Sequence, residues 1–371
     1  MVSTLCHHQQ KSESFFSHSL SHHRRVRHDL AKNFSPVSAG LGFHFHSSTS
    51  AKLSELFLCY VALLQDMEAE VRHSAVTNVA YMTYLGGSDL FMQHIAPLLP
   101  SLAGDPVMEV RSKLALAMMD CVGSDDAEDG LGERPLADSV ILQVLRPLLE
   151  GFLNDEFAEV QLHVLNKLSR VAHLFSKMDV VVNAIMVMTK AQNWRVRESV
   201  ASLLPHLAEA MGVDFFKEHL LDAWMKLLMD HVCQVRMACV AGMAQLLTVA
   251  GATWFQKELL PLYKELYNEN TDTYLTRITI LSCYAGLSRA TKTMNQSSSL
   301  KEETLNMLLR ALEDPVANVR IVASRGLAQF ARLLENDSLV TGKIKPALQD
   351  RAGTDDDVDV RYFAEKALEA C

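Results

Sequence analysis

Seven cysteines, fifteen histidines and the acidic run Asp355-Asp356-Asp357 are the residues of this chain with most chemistry to offer. Their spacing offers little. No two cysteines form a Cys-x-x-Cys pair, and their odd, scattered count fits reduced thiols buried as small hydrophobes. Cys239 falls at a core position, and a thiol nucleophile would need a neighbouring base and a polarised site that the sequence does not supply. The His-His pairs at 7–8 and 22–23 lack acid or thiol partners at fixed spacing, so no metal is expected there. "DDDVDV" at 355–360 lacks the glycine and the distal glutamate of a calcium loop and reads as a solvated turn that caps the last helix. No phosphate-cradling glycine loop, G-x-S-x-G elbow or His-Glu-x-x-His pair is present. Neither catalysis nor a cofactor is expected.

The sharper signal is "NWRVRESVASLLPHL" at 193–207. Trp194, Arg195 and Arg197 crowd the start of a helix. An exposed Trp-Arg pair has the composition of an interface hot spot, whereas Arg197 belongs to a pattern that runs through the chain. "DMEAEVR" (66–72), "DPVMEVR" (105–111), "DEFAEVQ" (155–161), "QNWRVR" (192–197), "DHVCQVR" (230–236), "DTYLTR" (272–277), "DPVANVR" (314–320) and "DDVDVR" (356–361) recur at intervals of 39, 50, 36, 39, 41, 43 and 41 residues, counted at the Val position. The long interval contains "VGSDDAEDGLGERP" (122–135), which reads as an inserted loop. A period near 40 is that of two-helix solenoids.

Each unit's second helix carries apolar or small residues at Val+4, +7, +8 and +11, one helical face. In the seventh unit these are Ala323, Gly326, Leu327 and Phe330. The sixth unit keeps the pattern with Thr276 in place of Val. A small residue at +7 lets a neighbouring helix approach. The acid before each helix is expected to cap it, with Pro106 and Pro315 at the first helical position. Pro97 and Pro205 mark bends. Arg72, Arg111, Arg197, Arg236, Arg320 and Arg361, with Arg277 in the Thr unit, are expected to reach the acid or backbone carbonyls of an adjacent unit's turn, a structural ladder along the stack.

Composition agrees with this reading. Of the residues, 49% are hydrophobic, carried by Ala, Leu, Val and Met, and only 7% are aromatic, which favours helices over sheets. Residues 51–371 hold 30 Lys and Arg against 42 Asp and Glu, a net of −12, so nucleic acid is not an expected partner. The longest apolar run, "LFLCYVALL" at 56–64, is half a membrane span, so no membrane association is expected. Residues 1–50 hold eight of the histidines and no apolar periodicity, and are expected to be a disordered tail. An organelle-targeting role for this tail is less expected than a solvated one. The unit at 51–85 would then begin the stack alone, its first helix exposing an apolar face prone to self-association.

In this order the repeats resemble the later HEAT repeats of the scaffolding (A, 65-kDa-type) subunit of serine/threonine protein phosphatase 2A, over roughly 55–371. Each motif alone is generic; the ordered set, with "WRVR" and "DPVANVR" in place, is specific. The resemblance implies an all-α, right-handed α-solenoid of about eight HEAT repeats, each of two antiparallel helices. It implies a non-catalytic scaffold in the cytoplasm, with the nucleus as a second compartment. The partner it implies is a phosphatase 2A-type catalytic subunit, held along the intra-repeat turns of the last five units. Trp194 and Arg195, Tyr274 and Arg277, and Val316 would then be partner contacts. Cys233 stands where the family typically carries Tyr, which would weaken that contact. A regulatory B-type subunit is not expected to dock, because the N-terminal repeats that receive it are missing. The alternatives are a generic HEAT-repeat adaptor in transport or trafficking, or a truncated duplicate with weak partner binding.

Overall fold

A computed structural model describes residues 21–43, 50–122, 136–168, 179–269, 273–334 and 338–371. All regular elements among them are helices. The inserted loop expected at 122–135 lies almost wholly outside the described residues. The chain forms two compact units, Met1–Ala184 and Ile185–Cys371.

Within each unit the repeat is a pair of helices joined by a short turn. Second helices run Ala69–Val76, Met108–Asp120 and Ala158–Leu165 in the first unit. In the second unit they run Trp194–Met211, Cys233–Trp254, Tyr274–Gly286, Ala317–Leu333 and Val358–Leu368. The apolar stripe is the core: Val71, Val110, Val160, Val196, Val235, Val319 and Val360 are all fully buried. Gly242, at Val+7, is where Pro205 of the preceding second helix comes close. A Cβ there would stand 2.6 Å from the proline ring, so the missing side chain sets the helix spacing.

First helices share a device the sequence did not announce. Five of them open with a π-helical turn: Phe91–Ile95, Ile141–Leu145, Phe216–Leu220, Phe255–Leu259 and Val340–Ile344. Pro97, Pro147, Pro261 and Pro346 each follow one of these turns by two residues. Proline lacks the N–H that would close an ordinary turn, and the wider turn accommodates it. The first and last residues of these turns, such as Phe216 and Leu220, are buried. Deep in the second unit, Trp224 Nε1 donates to Tyr263 Oη at 2.7 Å, tying two successive first helices together.

The expected disorder of residues 1–50 is corrected for 21–43; residues 1–20 and 44–49 lie outside the described residues. Helices Arg24–Lys32 and Phe34–Gly40 pack on the first repeat. Phe34 is fully buried with its ring 5.0 Å from Tyr60. Asn78 Nδ2 donates to Ala31 O at 2.8 Å. The apolar face of Ser50–Leu64, expected to be exposed, is therefore covered. Leu56, Phe57, Tyr60 and Leu63 are buried, and Leu58 stays exposed.

Residues 21–43 belong to the repeat series. "RVR" at 25–27 repeats "RVR" at 195–197. Counting sixteen residues from Val26, Val71, Val196 and Val235 reaches Gly42, Gly87, Gly212 and Gly251, whose φ values are 87°, 64°, 91° and 78°. These glycines turn the chain from a second helix toward the next first helix in a left-handed conformation that side chains resist. Gly212, with ψ 161°, lies in a region open essentially to glycine alone. Gly212→Ala is expected to lower stability by about 1–3 kcal/mol, read as a shift in urea midpoint of the intact chain. A neutral result would mean the turn relaxes freely.

Gly251 also bears on the membrane question. The helical run Cys233–Glu269 contains an 18-residue window long and apolar enough to cross a bilayer, with mean hydropathy 1.4. Gly251 breaks it, and Met243, Leu246, Leu247 and Leu259 within it are buried in the protein. Its composition is that of core helices.

Candidate interaction edge

The recurrent Asp and Arg form one repeated joint. Asp230 Oδ1 accepts from the Val232 N–H at 2.8 Å, closing the turn before the helix. Asp66, Asp105, Asp155, Asp314 and Asp355 do the same two residues on. The expectation that the acid caps the helix is thus corrected for these six aspartates, which shape the turn instead; at the last helix it holds, through Asp357. Pro106 and Pro315 sit in this turn, two residues before the helices at Met108 and Ala317. Side-chain caps come from Asn193 and Asp357.

The same aspartate receives the arginine of the preceding repeat. Arg197 donates from Nε and Nη2 to Asp230 at 2.6 and 3.0 Å, and from Nη1 to the Ala191 carbonyl of its own turn at 2.6 Å. Arg72–Asp105, Arg111–Asp155, Arg277–Asp314 and Arg320–Asp355 repeat the fork. Each pair is nearly buried, with Arg197 and Asp230 side chains 7% and 8% exposed. Burial alone would raise the Asp230 carboxyl. The Arg197 hydrogen bond, the Val232 N–H and the guanidinium charge outweigh it and hold the group below its ordinary value. The hydrogen bond to Asp230 raises Arg197 in turn. Arg27 pairs with Asp66 at 2.5 Å in the same geometry and donates to the Ser21 carbonyl, a rung absent from the sequence-based expectation.

Two rungs differ. Arg236 donates to Thr279 Oγ1 at 3.1 Å and to the Asp230 carbonyl at 2.7 Å; the register position of the next acid is Thr271. Arg361, in the last repeat, holds only the carbonyls of its own turn, Asp355 and Asp356. In the fourth repeat Ala191 stands in the acid position, and Asn193 Oδ1 takes over the local role by accepting from the Arg195 N–H at 3.0 Å.

This joint explains why two arginines flank Val196. Arg197 points in and is neutralised. Arg195 is exposed, with its guanidinium 4.7 Å from the centre of the half-buried Trp194 ring. The stack desolvates one ring face and keeps the cation fixed at the surface. Trp194 is the first residue of its helix. So are Cys233, Tyr274, Ala317 and Val358. These five residues take the same register position in five consecutive repeats of the second unit, an edge of turns.

The side chains along this edge differ in availability. Cys233 is exposed. Tyr274 and Leu275 are 38% and 46% exposed. Val316 is half-buried at the N-cap, one residue short of the register. Arg277, expected to reach a partner, is corrected to an internal role: it is 6% exposed and consumed by Asp314. Val358, 65% exposed, was missed. It holds the Trp194 register in the last repeat, so strict counting from Val360 would have found it.

No group of three or more metal-ligating side chains occurs among the described residues. Asp355 and Asp357 in the acidic run are occupied by Arg320 and by backbone N–H groups. Burial pushes the Cys121 thiol up to about 12 and Cys239 higher still, so neither is a ready nucleophile at neutral pH.

No family model matches the chain. Among curated proteins it is similar to the PP2A protein phosphatase regulatory A subunit of Saccharomyces cerevisiae. That match is 28% identical over 132 residues, 34% of this chain and 20% of the relative. It is also similar to the beta isoform of the human serine/threonine-protein phosphatase 2A 65 kDa regulatory A subunit, 42% identical over 53 residues, 14% of this chain and 8% of the relative. The chain thus matches a fifth or less of these relatives' length. Among solved structures it superposes on the karyopherin Kap121p bound to the SUMO protease Ulp1p, with TM-score 0.67 and 13% identity. The match covers 98% of this chain and 41% of that one. Kap95p, in a structure of its binding to RanGDP, gives TM-score 0.59 and 12% identity over 97% of this chain and 46% of that one. The fold is a HEAT-repeat α-solenoid. At these identities the karyopherins speak for fold alone. In this fold Trp194, Cys233, Tyr274, Ala317 and Val358 recur one repeat apart along the turns of the second unit.

Proposed function

We propose that this chain is a non-catalytic scaffold whose second unit holds, on its turn edge, a phosphatase 2A-type catalytic subunit. The observation that carries the reading is the Arg195–Trp194 stack at the head of that edge. It is a rigid aromatic-cation surface that the repeat template does not require, followed by Tyr274 in register two repeats on. Support also comes from the two phosphatase regulatory subunits, which resemble parts of the chain. The internal use of Arg277 leaves Trp194, Arg195, Tyr274 and Leu275 as the main contacts. Exposed Cys233 between them offers only a small side chain where a large one would anchor.

The scaffold works by geometry. Arg-Asp forks, with an Arg236–Thr279 hydrogen bond in the fifth repeat, fix the turns to one another, so the contacts are held in place before the partner arrives and little ordering entropy remains to oppose binding. Trp194→Ala in the intact chain is expected to weaken binding to a purified phosphatase 2A catalytic subunit by about 2 kcal/mol, with helicity unchanged. Equal binding by the variant, measured by calorimetry, would remove Trp194 from the interface.

A further inference from the structure

The second helices of the fifth to seventh repeats contain no carboxylate at all, in a chain whose residues 51–371 carry a net of −12. The first helices they pack on hold the acids, among them Asp222, Glu265, Glu302 and Glu303. Charge is therefore segregated between the two helix layers. On the acid-free layer lies a groove of about 380 Å³. Its walls are apolar, with Met237 and Val240 from one helix, Leu275 and Ile278 from the next and Val322 from the third. Gly326 lets this third helix close in: a Cβ there would stand 3.3 Å from Ala285 of the second helix. Arg289 and Arg325 stand exposed at the groove. Unlike the forked arginines such as Arg277 and Arg320, neither forms an ion pair among the described residues; Arg325 lies over the Phe363 ring at 5.7 Å.

We propose that this groove binds a segment of a partner protein that carries apolar side chains on one face and carboxylates on its flanks. The apolar walls supply the burial, and the two free guanidiniums select charge and orientation, since each can take a carboxylate bidentately. A basic segment would meet two uncompensated cations and find no acid among the groove residues. Three arginines, with Arg236 already bound to Thr279 and the Asp230 carbonyl, are too few in an acidic chain to hold a nucleic-acid backbone. The groove starts at Cys233 and Leu275 on the turn edge and runs along the helix layer away from Trp194, and its occupancy rests on the chemistry of its own lining, not on the phosphatase reading.

The test uses the intact chain and two fluorescent amphipathic peptides with leucines at helical spacing, one with Glu and one with Lys at the other positions. Cys233 lines the groove, so its rate of alkylation by iodoacetamide, located by mass spectrometry, reports occupancy. The Glu peptide is expected to bind and to slow Cys233 alkylation. Arg289→Glu with Arg325→Glu, both on exposed positions, is expected to weaken it at least about tenfold. Trp194→Ala is expected to leave the peptide's affinity unchanged, which separates this site from the turn edge. Equal binding of both peptides, binding that leaves Cys233 alkylation untouched, or no binding of the Glu peptide would overturn the proposal.

Discussion

Replacing Arg197 with methionine is expected to destabilise the second unit by about 3 kcal/mol. The reason is what remains behind. Asp230, with its side chain 8% exposed, would keep the Val232 N–H but lose both guanidinium bonds. The Ala191 and Gln192 carbonyls would lose their donor as well. A nearly buried, unpaired carboxylate is the costly product, so Arg197→Met with Asp230→Asn is expected to cost less than Arg197→Met alone. The pH dependence follows from the depressed Asp230 value. A carboxyl held below its unfolded value contributes stability above about pH 4 and loses that contribution as pH falls through the folded value. In the single variant burial acts unopposed by the guanidinium, and acid relieves the penalty by protonating Asp230. The gap between the native chain and Arg197→Met should therefore be full at pH 7 and close below pH 4. Urea midpoints across that range check it, and a gap independent of pH would mean the fork contributes by packing alone.

Phe34→Ala is expected to cost about 3 kcal/mol at the N-terminal end of the described solenoid. Phe34 is fully buried and holds its ring against Tyr60, whose hydroxyl in turn donates to the Ala75 carbonyl at 2.7 Å. Removing the ring opens a cavity over the helix Ser50–Leu64, the face that Ala31 and Phe34 otherwise shield. Repeat proteins lose structure locally from their ends, so the effect should appear as faster amide exchange in 53–64 and as self-association, with exchange in 233–247 unchanged. Unaltered exchange at 53–64 would show that helices 24–40 merely rest on the repeats.

How far sequence carried differs by feature, for physical reasons. The period was legible because every second helix must bury the same stripe, and because the Asp-turn-Val-Arg joint needs both residues at fixed spacing. The N-terminal member was not, although "RVR" at 25–27 and Gly42 were there to read. Its surroundings are rich in His and Ser, and its helix breaks at Asn33, so the apolar stripe never completes. The π-helical turns were illegible because nothing in a proline two residues downstream says which way the helix will widen. At the candidate edge, Trp194 stood out by being uncalled for. Arg277 misled because one residue type serves both as a ladder rung and as a surface cation. Only its 37-residue reach to Asp314 distinguishes the two.

The most direct test of the central claim is an amide-exchange footprint of the intact chain with and without a purified phosphatase 2A catalytic subunit. Protection is expected at the turns that begin the helices at Trp194, Cys233 and Tyr274, spaced one repeat apart, with the first unit unchanged. Binding that leaves those turns unprotected, or no binding by a folded, monodisperse sample, would contradict it.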